Sequence, residues 1–185
     1  MAMQASRTAV LMSIHPEFAD LILKGKKKIE FRKTRPVVDL SYVLIYATFP
    51  IKEVIGFFEV SGIHEAIPDD LWKIYQDVSG IDEKVFRRYY GSASRGVAIQ
   101  VGKVFAFQKP FPLLLNGKHK TSPPQSFRYV KADAFPIIEV CCGSNRERGK
   151  SHLTCCKVCR LRIVRALASS LSHSVGTRRK NGNGS

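Results

Sequence analysis

Three charged residues stand out for their types and spacing: Lys27, Glu30 and Arg32 within GKKKIEFR, with Lys28 beside them. Lys28-Ile29-Glu30-Phe31-Arg32 alternates with period two. As a strand it sends Ile29 and Phe31 to one face and Lys28, Glu30 and Arg32 to the other. Such a face can hold a phosphate or base carbonyl with lysine, offer arginine's planar fork to a phosphate or base edge, and accept from an amino group with glutamate. A solvated strand face with an ion pair worth under about 1 kcal/mol uses the same residues. Lys24, Lys26, Lys27, Lys28, Arg32, Lys33 and Arg35 make this the densest basic cluster before Val130.

The elements that position these residues can be read around them. Pro16 suits a first helical position, Phe18, Leu21 and Ile22 recur at helical spacing, and Gly25 is a C-terminal stop. His15 is a helix-entry residue near the mouth of any cleft there. An apolar run, TAVLMS, precedes this helix as a strand. Tyr42–Thr48 reads as a buried strand ended by Pro50, and Glu53–Ile63 as a longer strand that Gly56 and Gly62 let bulge or coil. Pro68-Asp69-Asp70 opens a helix with a stripe of Leu71, Ile74, Tyr75 and Val78 and a stop at Gly80. Trp72 on that helix is expected to be buried rather than a stacking platform. A third helix spans about residues 82–90 with Val85, Phe86 and Tyr89 inward. Gly96–Phe107 returns to strand character, Lys109–Pro112 is a turn or edge, and PPQSFRYV feeds a last strand in which Phe127 belongs to the core. Short strands around a few helices predict an α+β fold: a small curved sheet or barrel with helices at its ends.

Composition sets the class. The chain has 185 residues, and its 44% hydrophobic and 10% aromatic content argues for a globular protein rather than a disordered one, while the net charge of +15 favours polyanionic partners, nucleic acid first. No apolar run approaches the roughly 18 residues that span a bilayer. No signal peptide is visible at the amino end, so a cytoplasmic setting without a membrane partner is expected.

Charge and cysteine are unevenly spread. Residues 1–130 carry 19 basic and 12 acidic side chains, a net +7, and residues 131–185 carry 11 and 3, a net +8. All five cysteines lie in that second part, and no aromatic residue follows Phe135. Two units are therefore expected: a domain over 9–130 and a basic, Cys-containing, poorly ordered extension over 131–185. Within the extension, Cys156-x-x-Cys159 has chelating spacing, and Cys142 and His152 could complete a zinc set. A second C-x-x-C is missing, so no metal and no cofactor is the expectation.

The helix followed by Gly25-Lys26-Lys27-Lys28-Ile29-Glu30-Phe31-Arg32 resembles the G-x-K-x-x-[TE]-x-R hallmark of the ASCH domain, a branch of the PUA-like β-barrel superfamily. The lead-in SIHPEFADLIL and the closing PPQSFRYV resemble small prokaryotic and phage members, and the likeness covers about Ala9–Val130. It implies a small PUA-like barrel, the helix preceding the motif strand, with an RNA-facing cleft. Lys27, Glu30, Arg32, Lys28, Gln125 and Ser126 would be the binding residues, and RNA or a modified nucleoside the partner. Its leading implication is an RNA- or nucleotide-binding module. Alternatively, some ASCH proteins are metal-independent amidohydrolases acting on N4-acetylcytidine, with the motif Lys, a Thr at the [TE] position and a separate Glu. In that case Lys27 and Glu30 would be catalytic. Glu30 stands where those enzymes carry Thr, and a carboxylate does not inherit a hydroxyl's role as nucleophile. Glu59 and Glu65 are candidates for the separate Glu by residue type.

Overall fold

The opening apolar run is hydrophobic without alternation, as a strand covered on both faces requires. In the computed structural model, which describes residues 8–115, 119–120, 122–130 and 153–155, it is strand β1 (Ala9–Ile14). Helix α1 (Pro16–Leu23) follows with proline in its first turn, and Gly25 takes φ +70° just past its C-cap, Lys24. Next come β2 (Ile29–Arg32), β3 (Tyr42–Ala47) and β4 (Glu53–Ala66). Helices α2 (Pro68–Ser79), capped by left-handed Gly80, and α3 (Glu83–Tyr90) lead into β5 (Gly96–Pro112). Short pieces β6 (Leu114–Leu115) and β7 (His119–Lys120) pair with each other, β8 is Phe127–Val130, and β9 is Leu153–Cys155.

The main sheet runs β2-β5-β4-β3-β1-β8, with β9 alongside β5. β1 pairs parallel with β3 and antiparallel with β8. The long β4 and β5 pair antiparallel through three register shifts, between Val54 and Gly56, Phe58 and Val60, and Val60 and Gly62. Each shift adds local twist, so two long strands coil instead of lying flat. Gly56 is needed at the first shift because a Cβ there would lie 2.4 Å from the Phe105 carbonyl oxygen. The result is the expected α+β fold, a curled, barrel-like sheet with three helices among the described residues.

Two of its apolar clusters bear on the position of the charged residues. Val10, Met12, Val43, Ile45, Phe58 and Ile99 pack with Ala19 and Ile22 of α1 in the larger one. Ile29 and Phe31 of β2 pack with Leu71, Trp72, Phe86 and Tyr90 of α2 and α3 in the other. Trp72 is buried, as expected, and Phe127 packs at the margin of the larger cluster.

Two expectations change, and a third is decided between its alternatives. Ile74 and Val78 are exposed, and the buried face of α2 is Leu71, Trp72 and Ser79. On α3, Phe86 and Tyr90 are buried, whereas Tyr89 is 40% exposed; the helix lays the i, i+4 pair Phe86–Tyr90 on Phe31, not the neighbouring pair Val85–Tyr89. Lys109–Pro112 continues β5, with Phe111 opposite Val54 and Pro112 opposite Glu53. Among the described residues, no helix is long and apolar enough to cross a membrane. The proposed zinc residues Cys142, His152, Cys156 and Cys159 lie outside the described residues, as does all of 131–185 except β9.

Candidate ligand-binding cleft

The turn between α1 and β2 decides which of three consecutive lysines points inward. The amides of Lys26 and Lys27 both donate to the Leu21 carbonyl, at 2.9 and 3.0 Å. Lys28 is held through its backbone on both sides, its N–H donating to Val78 O at 2.9 Å and its carbonyl accepting from Val101 N–H at 2.8 Å. Lys26 and Lys28 are exposed, and Lys27 is 2% exposed.

A buried ammonium must be paired. Lys27 Nζ donates to the Ser79 carbonyl at 2.7 Å and lies 3.9 Å from Glu30 Oε2. The Phe18 and Phe31 rings flank it, with centroids 5.4 and 5.6 Å from Nζ. Burial pulls the Lys27 pKa below its ordinary value of 10.5; Glu30 pulls it back up and Arg32 pushes it further down. Glu30 and Arg32 are 6% and 7% exposed. Arg32 donates through one terminal nitrogen to Glu30 Oε1 and to the Ser13 carbonyl, both at 2.8 Å. The second bond links edge strand β2 to β1, near the opposite end of the sheet. Arg32 Nε is buried with no partner among the described residues.

These three charges border a cleft of about 240 Å³. One wall comes from the end of β1 and the start of α1: Ser13, Ile14, His15 and Phe18. Ile81, Val85 and Tyr89, from α3 and the segment before it, also line it. Pockets for drug-sized ligands run from about 300 Å³ upward, so this cleft suits one small planar group. Its chemistry is cationic donors and one carboxylate acceptor between aromatic and aliphatic walls.

Lys27, Glu30 and Arg32 are thus brought together. Lys28 is not; it is exposed and outside the cleft lining. Gln125 is exposed and Ser126 half-buried, and neither lines the cleft. Their segment touches it through Ser13, whose hydroxyl donates to Pro124 O at 2.6 Å and whose amide donates to Ser126 O at 3.4 Å. His15 is the N-cap of α1 and lines the cleft. Glu59 pairs with Lys103 at 3.6 Å, and Glu65 pairs with Arg95 at 3.2 Å and Arg35 at 3.6 Å, all away from the lining. Glu30 is therefore the one carboxylate lining the cleft among the described residues. Ser79, Ile81 and the cleft-facing side of Tyr89 carried no signal in the sequence beyond helical periodicity. Among the described residues, no group of three or more His, Cys, Asp or Glu side chains could hold a metal ion.

The family model for the ASCH domain matches residues 12–111, more than half of the chain. The chain belongs to the ASCH domain family. This ASCH chain is 37% identical over 93 residues to a Zymomonas mobilis protein named ASCH domain-containing ribonuclease; the match covers 50% of the chain and 63% of that relative, less than two thirds of its length. It is also 27% identical over 123 residues to large ribosomal subunit protein uL22 of Ureaplasma parvum, covering 66% of the chain and 39% of that protein. In structure it is similar to ASCH from Zymomonas mobilis, with TM-score 0.60, 31% identity, and coverage of 65% of this chain and 86% of that one. A serine-to-alanine variant of the same protein superposes with TM-score 0.61 at 31% identity, covering 67% and 89%.

Proposed function

We propose that this ASCH chain is an RNA- or nucleotide-binding module that draws one nucleotide into the cleft, with residues 9–130 as its working unit. Lys27 and Arg32 would donate to base carbonyls or phosphate, and Glu30 would accept from a base amino group. The observation that carries this reading is the burial of three charged side chains at one small cleft with aromatic walls. Each buried charge costs several kcal/mol in desolvation, and apolar replacements of similar volume are often neutral or stabilising. A ligand that uses the charges accounts for that cost. The ribonuclease name of the Zymomonas relative and the net +15 of the chain support RNA as the ligand class. Exposed Lys26 and Lys28 at the turn, and Lys33 beyond β2, would follow the phosphates.

The test is a fluorescence titration of the full chain with a labelled single-stranded RNA, run with melting curves. Alanine at position 27 or 32 would remove the buried stem along with the charge, opening a cavity that mixes stability with affinity. Lys27→Met keeps the buried stem and Arg32→Lys keeps the charge, and both are expected to weaken binding while the protein remains folded. Unchanged affinity in both would overturn the reading.

A second reading, hydrolysis of an N4-acetylcytidine-type nucleoside, is favoured by one observation: the lowered pKa of Lys27 brings its amine closer to a nucleophile or base. Glu30 in place of Thr, and the pairing of Glu59 and Glu65 elsewhere, weigh against it. Product analysis after incubation with N4-acetylcytidine decides, and absence of turnover at high protein concentration rejects it.

A further inference from the structure

Tyr89 is the aromatic residue that α3 contributes to the cleft. The residue is 40% exposed, whereas its neighbour Tyr90 is buried in the core. The two rings meet at 75° with centroids 5.1 Å apart. The Lys33 ammonium lies 5.5 Å from the centroid of the Tyr89 ring, and Lys33 itself is exposed. Tyr89 lines the same cleft as the buried pair Arg32 and Glu30. Phe18 and His15 of α1 line the same cleft, their rings 5.9 Å apart.

We propose that Tyr89 is the stacking surface for the ligand's base, and that Lys33, held over the same ring, contacts the attached phosphate at the cleft rim. This rests on the nucleotide-binding reading of the cleft and adds to it the residues that discriminate an aromatic heterocycle from any other anion. The buried charges alone would accept a bare phosphate or carboxylate. An aromatic face adds affinity only for a planar ring, and it does so for every base. The sugar and phosphate of a base resting on Tyr89 must project from so small a cleft into solvent. An exposed ammonium already associated with the ring is suited to meet them there.

The test uses the full chain and two labelled probes: a single-stranded oligoribonucleotide, and the same sugar–phosphate chain without bases. Tyr89→Leu keeps an apolar contact for Tyr90 but removes the ring, and should weaken binding of the RNA roughly 5- to 150-fold, the range of a lost base–aromatic stack. Tyr89→Phe should stay within about threefold of wild type, since stacking needs the ring and not the hydroxyl. Neither variant should change affinity for the base-free chain, whereas Lys33→Gln should weaken both probes. Wild-type affinity of Tyr89→Leu for the RNA overturns the proposal, as does an equal loss on both probes. If wild type binds the RNA and Lys27→Met weakens it while Tyr89→Leu does not, the stacking role alone fails. If wild type binds neither probe, the nucleotide-binding reading fails and the stacking role with it.

Discussion

The Nζ of Lys27 lies 2.7 Å from the Ser79 carbonyl oxygen, so a cation bordering the cleft also closes the C-terminus of α2. The last carbonyls of a helix lack partners within it and carry the negative end of its dipole, which favours a cation there. Gly80 completes the joint: a Cβ on it would stand 3.0 Å from the Lys27 Cβ. The end of α2, the turn after α1 and the cleft share one contact.

Gly80→Ala should therefore affect stability and binding together. Its φ of +65° is left-handed and costs a side-chain-bearing residue about 1–2 kcal/mol. The added methyl also presses on the Lys27 stem. Urea unfolding should show a lower midpoint with an unchanged slope, and an RNA titration a reduced affinity; wild-type behaviour in both would contradict the joint.

Lys27 should leave a signature in alkaline solution. Its folded-state pKa lies below the 10.5 of the unfolded chain, so between the two values the unfolded state binds more protons and stability rises with pH. Comparing wild type with Lys27→Met by urea unfolding isolates this group. The difference should move in favour of wild type as pH rises through the folded pKa towards 10.5, and be flat below that pKa. A drift in the opposite direction would mean that the pairing with Glu30 and Ser79 outweighs burial.

Arg32 and Glu30 should behave as one unit. Arg32→Met removes the 2.8 Å bond and leaves Glu30 with Lys27 at 3.9 Å as its remaining ion-pair partner, a loss expected at about 3–5 kcal/mol for a broken buried pair. Glu30→Gln added to Arg32→Met removes the stranded charge. The double variant should be less destabilised than the two single losses added together, as denaturation of all four proteins would show.

Much of this arrangement was legible in the sequence. Pro16, Gly25, Pro68 and Gly80 marked helix ends because ring closure and left-handed backbone are hard local constraints. The alternation of β2 put Ile29 and Phe31 opposite Glu30 and Arg32, as the structure has it. That the charged face is buried as well was not legible, because its cover comes from α1 and α3, elements brought there by packing. Lys27 was marked by its place in the family motif, but the spacing alone did not separate it from Lys26 and Lys28. Backbone bonds to Leu21, Val78 and Val101 select it. On α3 the stripes Val85–Tyr89 and Phe86–Tyr90 are both apolar at i, i+4, and only the position of Phe31 decides which enters the core.

Salt should report on the exposed part of the surface. Each phosphate contact to a single strand contributes about −0.7 to the slope of log affinity against log salt. Lys26→Gln with Lys28→Gln should make that slope shallower by up to about 1.4 if both lysines meet phosphate, leaving the preference for RNA over the base-free chain intact. An unchanged slope would place the phosphate path elsewhere.

The central place of β1 bears on how this domain can be cut. Every rung from Ala9 to Met12 is paired on both sides, with Tyr42 to Ile45 on β3 and Val130 to Phe127 on β8. The family match at 12–111 begins in the middle of that strand and stops before β8. A fragment trimmed to the match would lose half of the parallel ladder and all of the antiparallel one, leaving the remnant of β1 as a bare sheet edge, a template for joining other chains. The shortest stretch that keeps both ladders of β1 whole runs from Ala9 to Val130, and the pairing of β9 with β5 asks an expression or crystallisation design to keep the chain through Cys155 as well.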